Sequence, residues 1–325
     1  LAHHHELGES SEFYPYVNYC FDKRHVGDLP STWSKEGKEL IELIVGENEL
    51  FPDLMMTEMT YENVCGNDSS ATPLVRDAYN HVLRRSWDDI MIPVFDMVNH
   101  RNGKWKNVDS NSAHEEEDIN VFAIRDIAKG EQLYLSYNEC VDCEDYAHTY
   151  VLPHILRDYG FVEEYPRRWS FFDNELMVQL EEKEEGENHG SASNLKVVWL
   201  GEEGEPDEEQ FEEALPHLYG HLFRVKNIKV VEIAATLSSE HERFMSIRFH
   251  RALVTALEHV IWYMEDTRKS SAQKSEVYDN LDDDIDAHKL PLNHIICDFE
   301  TEQLDYKMMD NFTSFYQEIT FWRNE

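Results

Sequence analysis

Between residues 90 and 137 the apolar residues abandon the helical spacing that governs the chain on either side. This change of period limits the fold more than any other feature, because a segment patterned for strands cannot continue a helical bundle. Residues 90–98 read Ile-Met-Ile-Pro-Val-Phe-Asp-Met-Val, which predicts a short buried strand broken at Pro93. A polar stretch over 101–117 ends in Glu115, Glu116 and Glu117 and predicts a solvated loop. Val121, Phe122, Ala123 and Ile124 predict a second strand, Lys129-Gly130 a turn, and residues 131–137 a third strand.

The flanks are patterned for helices. Phe13, Tyr14, Pro15 and Tyr16 predict a rigid aromatic turn. Ser34 caps a helix whose expected apolar face is Leu40, Ile41, Leu43 and Ile44. Residues 51–70 are loop-like, and a helix over 73–87 has Val75, Tyr79, Val82 and Leu83 as its expected inward stripe. A further helix is expected over 143–157, a short strand over 195–200, and one long helix over 239–264. Residues 268–288 read as a polar, acidic linker and 290–322 as mixed helix with aromatic anchors. The fold class is therefore α+β, β-rich in the middle and helical at both ends.

Composition excludes several functions. At 41% apolar residues the chain has material for a core, which rules out global disorder. A formal charge of −37 argues against a nucleic-acid groove, which needs clustered Lys and Arg, and against an anionic membrane surface. A basic protein partner suits it, and so does a plain solubilising role. Five scattered cysteines make no disulfide scaffold and point to an intracellular, reducing compartment. Cys140-x-x-Cys143 with His148 and His154 lacks a second pair at zinc-site spacing, so no metal is expected. No Gly-x-Ser-x-Gly elbow and no phosphate-binding glycine loop is present.

Two segments carry more. One is Pro93-Val94-Phe95-Asp96-Met97-Val98-Asn99-His100. The other is Gly130-Glu131-Gln132-Leu133-Tyr134-Leu135-Ser136-Tyr137-Asn138, followed later by Asp158-Tyr159-Gly160-Phe161. In this order they resemble SET-domain methyltransferases. They are most similar to the branch that includes the plant Rubisco large-subunit lysine methyltransferase and the animal actin-histidine methyltransferase. The resemblance runs from about residue 1 to 169. It implies a β-rich, knotted SET fold, here partial, with a helical insert at about 30–88. It also implies a mainly helical, substrate-binding-like domain over 170–325. The family opens with a Gly-x-Gly unit that has no counterpart here, so an N-terminally truncated SET domain is expected.

The resemblance implies an S-adenosylmethionine-dependent protein-lysine N-methyltransferase, and a non-histone or basic protein is its expected substrate. Alternatives are a non-catalytic acidic SET-like binding protein and a protein-histidine methyltransferase. It assigns the catalytic role to Tyr137, whose hydroxyl would form a polar collar around the transferred methyl group. A strand-end tyrosine bonding to backbone is the plainer alternative. Asn99 and His100 would bind the cofactor, or would merely form a turn. Arg85 would pair with the donor's carboxylate, with Arg84 its competitor. Tyr159 and Phe161 would wall the substrate channel, or pack as core aromatics. Asp96 is expected to fix backbone and to take no part in catalysis.

Overall fold

Ser34 and Thr72 start two helices by the same device. In the computed structural model the Ser34 hydroxyl accepts the Gly37 N–H at 3.1 Å and the Thr72 hydroxyl accepts the Val75 N–H at 3.4 Å. Each satisfies a donor that the first helical turn cannot. The structure describes residues 1–22, 29–46, 72–87, 90–111, 119–138, 150–172, 176–183, 194–200 and 205–279.

The first helices are α1 (Ala2–Leu7), α2 (Tyr14–Asp22), α3 (Lys35–Val45) and α4 (Pro73–Arg85). Then come β1 (Ser86–Trp87), β2 (Ile90–Met91), β3 (Asn99–His100), β4 (Val108–Ser110), β5 (Val121–Ala123) and β6 (Tyr134–Leu135). Helix α5 (Leu152–Tyr159) leads into β7 (Arg167–Phe171), β8 (Leu176–Glu182) and β9 (Leu195–Leu200). The described C-terminal part is helical: α6 (Glu208–Lys226), α7 (Val230–Ala234) and α8 (Glu240–Asp279). The chain divides into two compact units, Leu1–Ala272 and Gln273–Glu325. The described part of the second is the helical backbone that ends at Asp279.

Strands β1 and β2 form a small antiparallel pair, as do β4 and β5. Strands β3 and β6 pair in parallel, Asn99 opposite Tyr134 and His100 opposite Leu135. Strands β7, β8 and β9 form an antiparallel meander. The main core of the first unit packs this meander against helices. Ile41 and Ile44 of α3, Leu152 and Leu156 of α5, Leu218 of α6 and Leu257 of α8 are fully buried around Trp169, Phe171 and Phe249. Each such aliphatic side chain contributes about 1.5–3 kcal/mol by leaving water. This core crosses position 169/170 without a break. A smaller cluster joins Val17, Cys20 and Phe21 of α2 to Ala78 of α4.

Several expectations need correction. The expected strand over 90–98 is only two residues of β2, followed by a turn and a 3-10 helix, Phe95–Met97. Pro93 has no N–H to donate to a ladder, and Val94 takes φ 78°, which no strand residue does. The aromatic turn expected at 13–16 is the start of α2. Leu43 is exposed, and α4 buries Ala78 and His81 in place of its expected stripe. Helix α8 continues through 268–279, because no Gly or Pro interrupts it. Strands β7 and β8 were not expected: residues 168–171 and 176–180 are buried on both faces, so no alternation marks them. The loop at 51–70, the stretch 290–322, Glu115–117, Cys140 and Cys143 lie outside the described residues.

Candidate active site

The parallel pairing of β3 with β6 is secured from both ends. The Arg101 N–H donates to the Leu135 carbonyl at 3.0 Å. Fully buried Asn107 acts as a peg: its carboxamide oxygen accepts the Tyr134 N–H at 2.8 Å, and its Nδ2 donates to the Gln132 carbonyl at 2.8 Å. The Lys129-Gly130 turn falls where expected, with Gly130 at φ 86°, a conformation open to glycine. Glu131 closes that turn by accepting from Arg125 at 2.6 Å and from the Ala128 N–H at 2.9 Å. The Arg125 hydrogen bond first, then the Ala128 N–H and the Asn107 amide, hold the Glu131 carboxyl down at about 2.

Tyr137 follows β6 by two residues and is gripped twice by the segment 98–100. Its backbone N–H donates to His100 Nδ1 at 2.9 Å, and its hydroxyl donates to the Val98 carbonyl at 2.6 Å. Its ring lies 4.5 Å from that of Tyr159 and 5.1 Å from that of His100, and His100 lies 5.9 Å from Phe161. Gly160 makes this possible. It ends α5 in the left-handed conformation, φ 78° and ψ 22°, and donates its N–H to Leu156. The chain then turns so that Tyr159 and Phe161 stand on the same cluster. Burial first, and the neighbouring Tyr137 second, push the Tyr159 hydroxyl well above its ordinary range. Asp158 faces elsewhere, receiving Arg157 at 2.6 and 2.7 Å and the Tyr150 hydroxyl.

Behind the rings is a buried polar network. His100 Nε2 lies 2.6 Å from Glu163 Oε1, with side-chain exposures of 3% and 1%. The same oxygen accepts Asn138 Nδ2 at 3.0 Å and Asn102 Nδ2 at 3.2 Å. The Ser136 hydroxyl lies 2.7 Å from Asn102 Oδ1 and 2.9 Å from Asn138 Oδ1, and Arg168 Nη1 donates to the Asn138 carbonyl at 2.6 Å.

Of the expected site residues, His100, Tyr137, Tyr159 and Phe161 meet in one cluster. Asn99 precedes His100 on β3, and its amide makes no hydrogen bond to a described residue. Arg85 belongs to another group: its Nη1 donates to Asp96 Oδ2 at 3.1 Å and to the Asp96 carbonyl at 3.3 Å. Asp96 Oδ2 also accepts the Tyr16 hydroxyl at 2.7 Å. Glu163, Asn102, Ser136 and Asn138 were not foreseen. One glutamate among 66 acidic residues carries no sequence signal of its own. Among the described residues no group of His, Cys, Asp or Glu could hold a metal ion, and no helix is long and apolar enough to cross a membrane.

Residues 5–138 match the SET domain, a family of protein methyltransferases that generally use S-adenosylmethionine. The match holds Arg85, Asn99, His100 and Tyr137 and ends before Tyr159, Phe161 and Glu163. No curated protein matches the chain.

Proposed function

We propose that the protein is an S-adenosylmethionine-dependent protein-lysine N-methyltransferase of the SET type. We assign it to the branch of the Rubisco large-subunit and actin-histidine enzymes, with a basic protein as its substrate. One observation carries the reading: His100, Tyr137 and the pair Tyr159 and Phe161, from three separate segments, form a single ring cluster at the ends of β3 and β6. In the same reading residues 1–169 supply a partial, knotted SET fold with a helical insert at about 30–88, and the helical residues beyond 169, whose described part shares its core, supply a substrate-binding-like part inside the cell.

The residues fit such a donor on the chemistry of their polar groups. The Asn99 side-chain amide, which bonds to no other described residue, lies at the strand end and suits the donor's polar groups. Among the described residues Arg85 bonds to Asp96 through Nη1, and the other N–H groups of its fork could pair with a carboxylate. When bound, S-adenosylmethionine supplies a methyl group on a positively charged sulfur. The Tyr137 hydroxyl donates its hydrogen bond to the Val98 carbonyl, so toward a methyl group or an incoming amine its oxygen can act only as an acceptor. The desolvation that raises the Tyr159 hydroxyl also disfavours a charged ammonium beside it, which favours the neutral, nucleophilic amine.

The test is donor binding and turnover on a lysine-rich protein, with wild type and Tyr137→Phe. The substitution keeps the ring and the backbone N–H, so donor affinity should hold while kcat falls about 10²-fold. Absence of donor binding at high micromolar protein overturns the reading. So does turnover that Tyr137→Phe leaves unchanged.

A further inference from the structure

We propose that Glu163 is a positioning residue for Tyr137, acting through His100. The inference rests on the methyltransferase reading for its functional consequence and on geometry for everything else. The Tyr137 N–H donates to His100 Nδ1 at 2.9 Å, so that nitrogen carries no proton. The proton of the ring therefore sits on Nε2 and points at Glu163 Oε1, 2.6 Å away. The two carboxamides beside it are oriented by Ser136, whose hydroxyl lies against both Oδ1 atoms and leaves both Nδ2 groups facing the same oxygen. Three donors thus converge on Oε1, while Oε2 is buried without a hydrogen-bond partner among the described residues.

Burying a carboxylate oxygen without a donor opposes folding. What the carboxylate supplies in return is that it can only accept. A His100 ring with its proton on Nδ1 would turn a bare Nε2 toward Glu163 and a donor toward the Tyr137 N–H. Both contacts would fail together. Glu163 therefore holds one tautomer of His100, and that tautomer holds the Tyr137 backbone. With the hydroxyl bonded to the Val98 carbonyl, the residue is held at both its backbone and its ring end. Phe161 and Gly160 bring Glu163 to this position, so the segment that supplies the ring cluster also supplies its brace.

The experiment is ¹⁵N-histidine NMR on the full chain, without any donor, on wild type, Glu163→Leu and Glu163→Gln. Wild type should show His100 as the Nε2–H tautomer with its proton far downfield. Glu163→Leu removes the acceptor, so the ring should populate both tautomers. In the turnover assay kcat should fall about 10²-fold, with the donor's KM within about threefold. Glu163→Gln keeps an acceptor but not the charge, so the Nε2 proton should move upfield, and this variant decides the matter if Glu163→Leu does not fold. A wild-type proton on Nδ1 overturns the proposal. So do His100 resonances that neither variant moves, or an unchanged kcat beside a scrambled tautomer. Because the NMR signal needs no methyl donor, a wild-type protein that transfers no methyl group counts against the functional reading alone.

Discussion

Tyr150 and Tyr159 are partly buried side chains with strongly desolvated hydroxyls, and this gives the molecule a definite alkaline behaviour. Burial first, and then neighbouring charged or ionisable groups, raise both hydroxyls above the ordinary tyrosine range. In the unfolded chain they ionise near pH 10. Above that pH the folded state keeps protons that the unfolded state releases. Stability is therefore fully present below pH 10 and falls as pH rises past it, by up to about 1.4 kcal/mol per pH unit for each residue. Denaturation midpoints between pH 9 and 11 should show the decline, and Tyr159→Phe should make it shallower. The ring of Tyr159 was legible in the sequence through its Tyr-Gly-Phe setting, as were His100 and Tyr137 at their strand ends. The brace behind them was not. Glu163, Asn102 and Asn138 act by converging on one oxygen, and convergence is a property of three segments that no single segment displays.

Helix α3 shows what an element's own sequence does announce. Ser34 as cap and Leu40, Ile41 and Ile44 as buried face were all readable, because capping and period are local. The contact that ties the helix down was not readable. Glu242 of α8, 208 positions later, accepts the Ser34 N–H at 3.0 Å and the Ser34 hydroxyl at 2.5 Å. Ser34→Ala would remove the cap of α3 and leave one oxygen of buried Glu242 without its donor. The expected loss is about 2 kcal/mol, more than a surface cap gives, measured as a shift in the urea midpoint at constant slope. Conversely, the segment 90–98 looked like a strand because Ile, Val and Phe favour one. Pro93, the positive φ of Val94 and the bonds of Asp96 to Tyr16 and Arg85 override that preference. In β5 the strand is present but its side chains are not buried: Val121 and Phe122 are 45% and 50% exposed, in a ladder of only two strands.

Over the whole molecule the charge of −37 is not spread evenly. Residues 181–213 hold 13 acidic residues and two lysines, whereas Arg101, Lys104 and Lys106 follow His100 within six positions. The ring cluster therefore lies beside a locally basic stretch in a strongly negative protein. On the methyltransferase reading, a field of that kind would draw a basic substrate in from a distance without binding it at the reacting centre. Steering and chemistry then separate experimentally. For a lysine-rich substrate, kcat/KM should fall as salt rises from about 50 to 300 mM, because screening shortens the reach of the field to about 6 Å. The value of kcat at saturation should stay constant. Replacing the exposed Glu209, Glu212 and Glu213 by glutamine should flatten the salt dependence and leave kcat untouched. If kcat itself falls with salt, or if the triple variant keeps the full salt slope, the acidic segment has no part in drawing the substrate in and serves solubility alone.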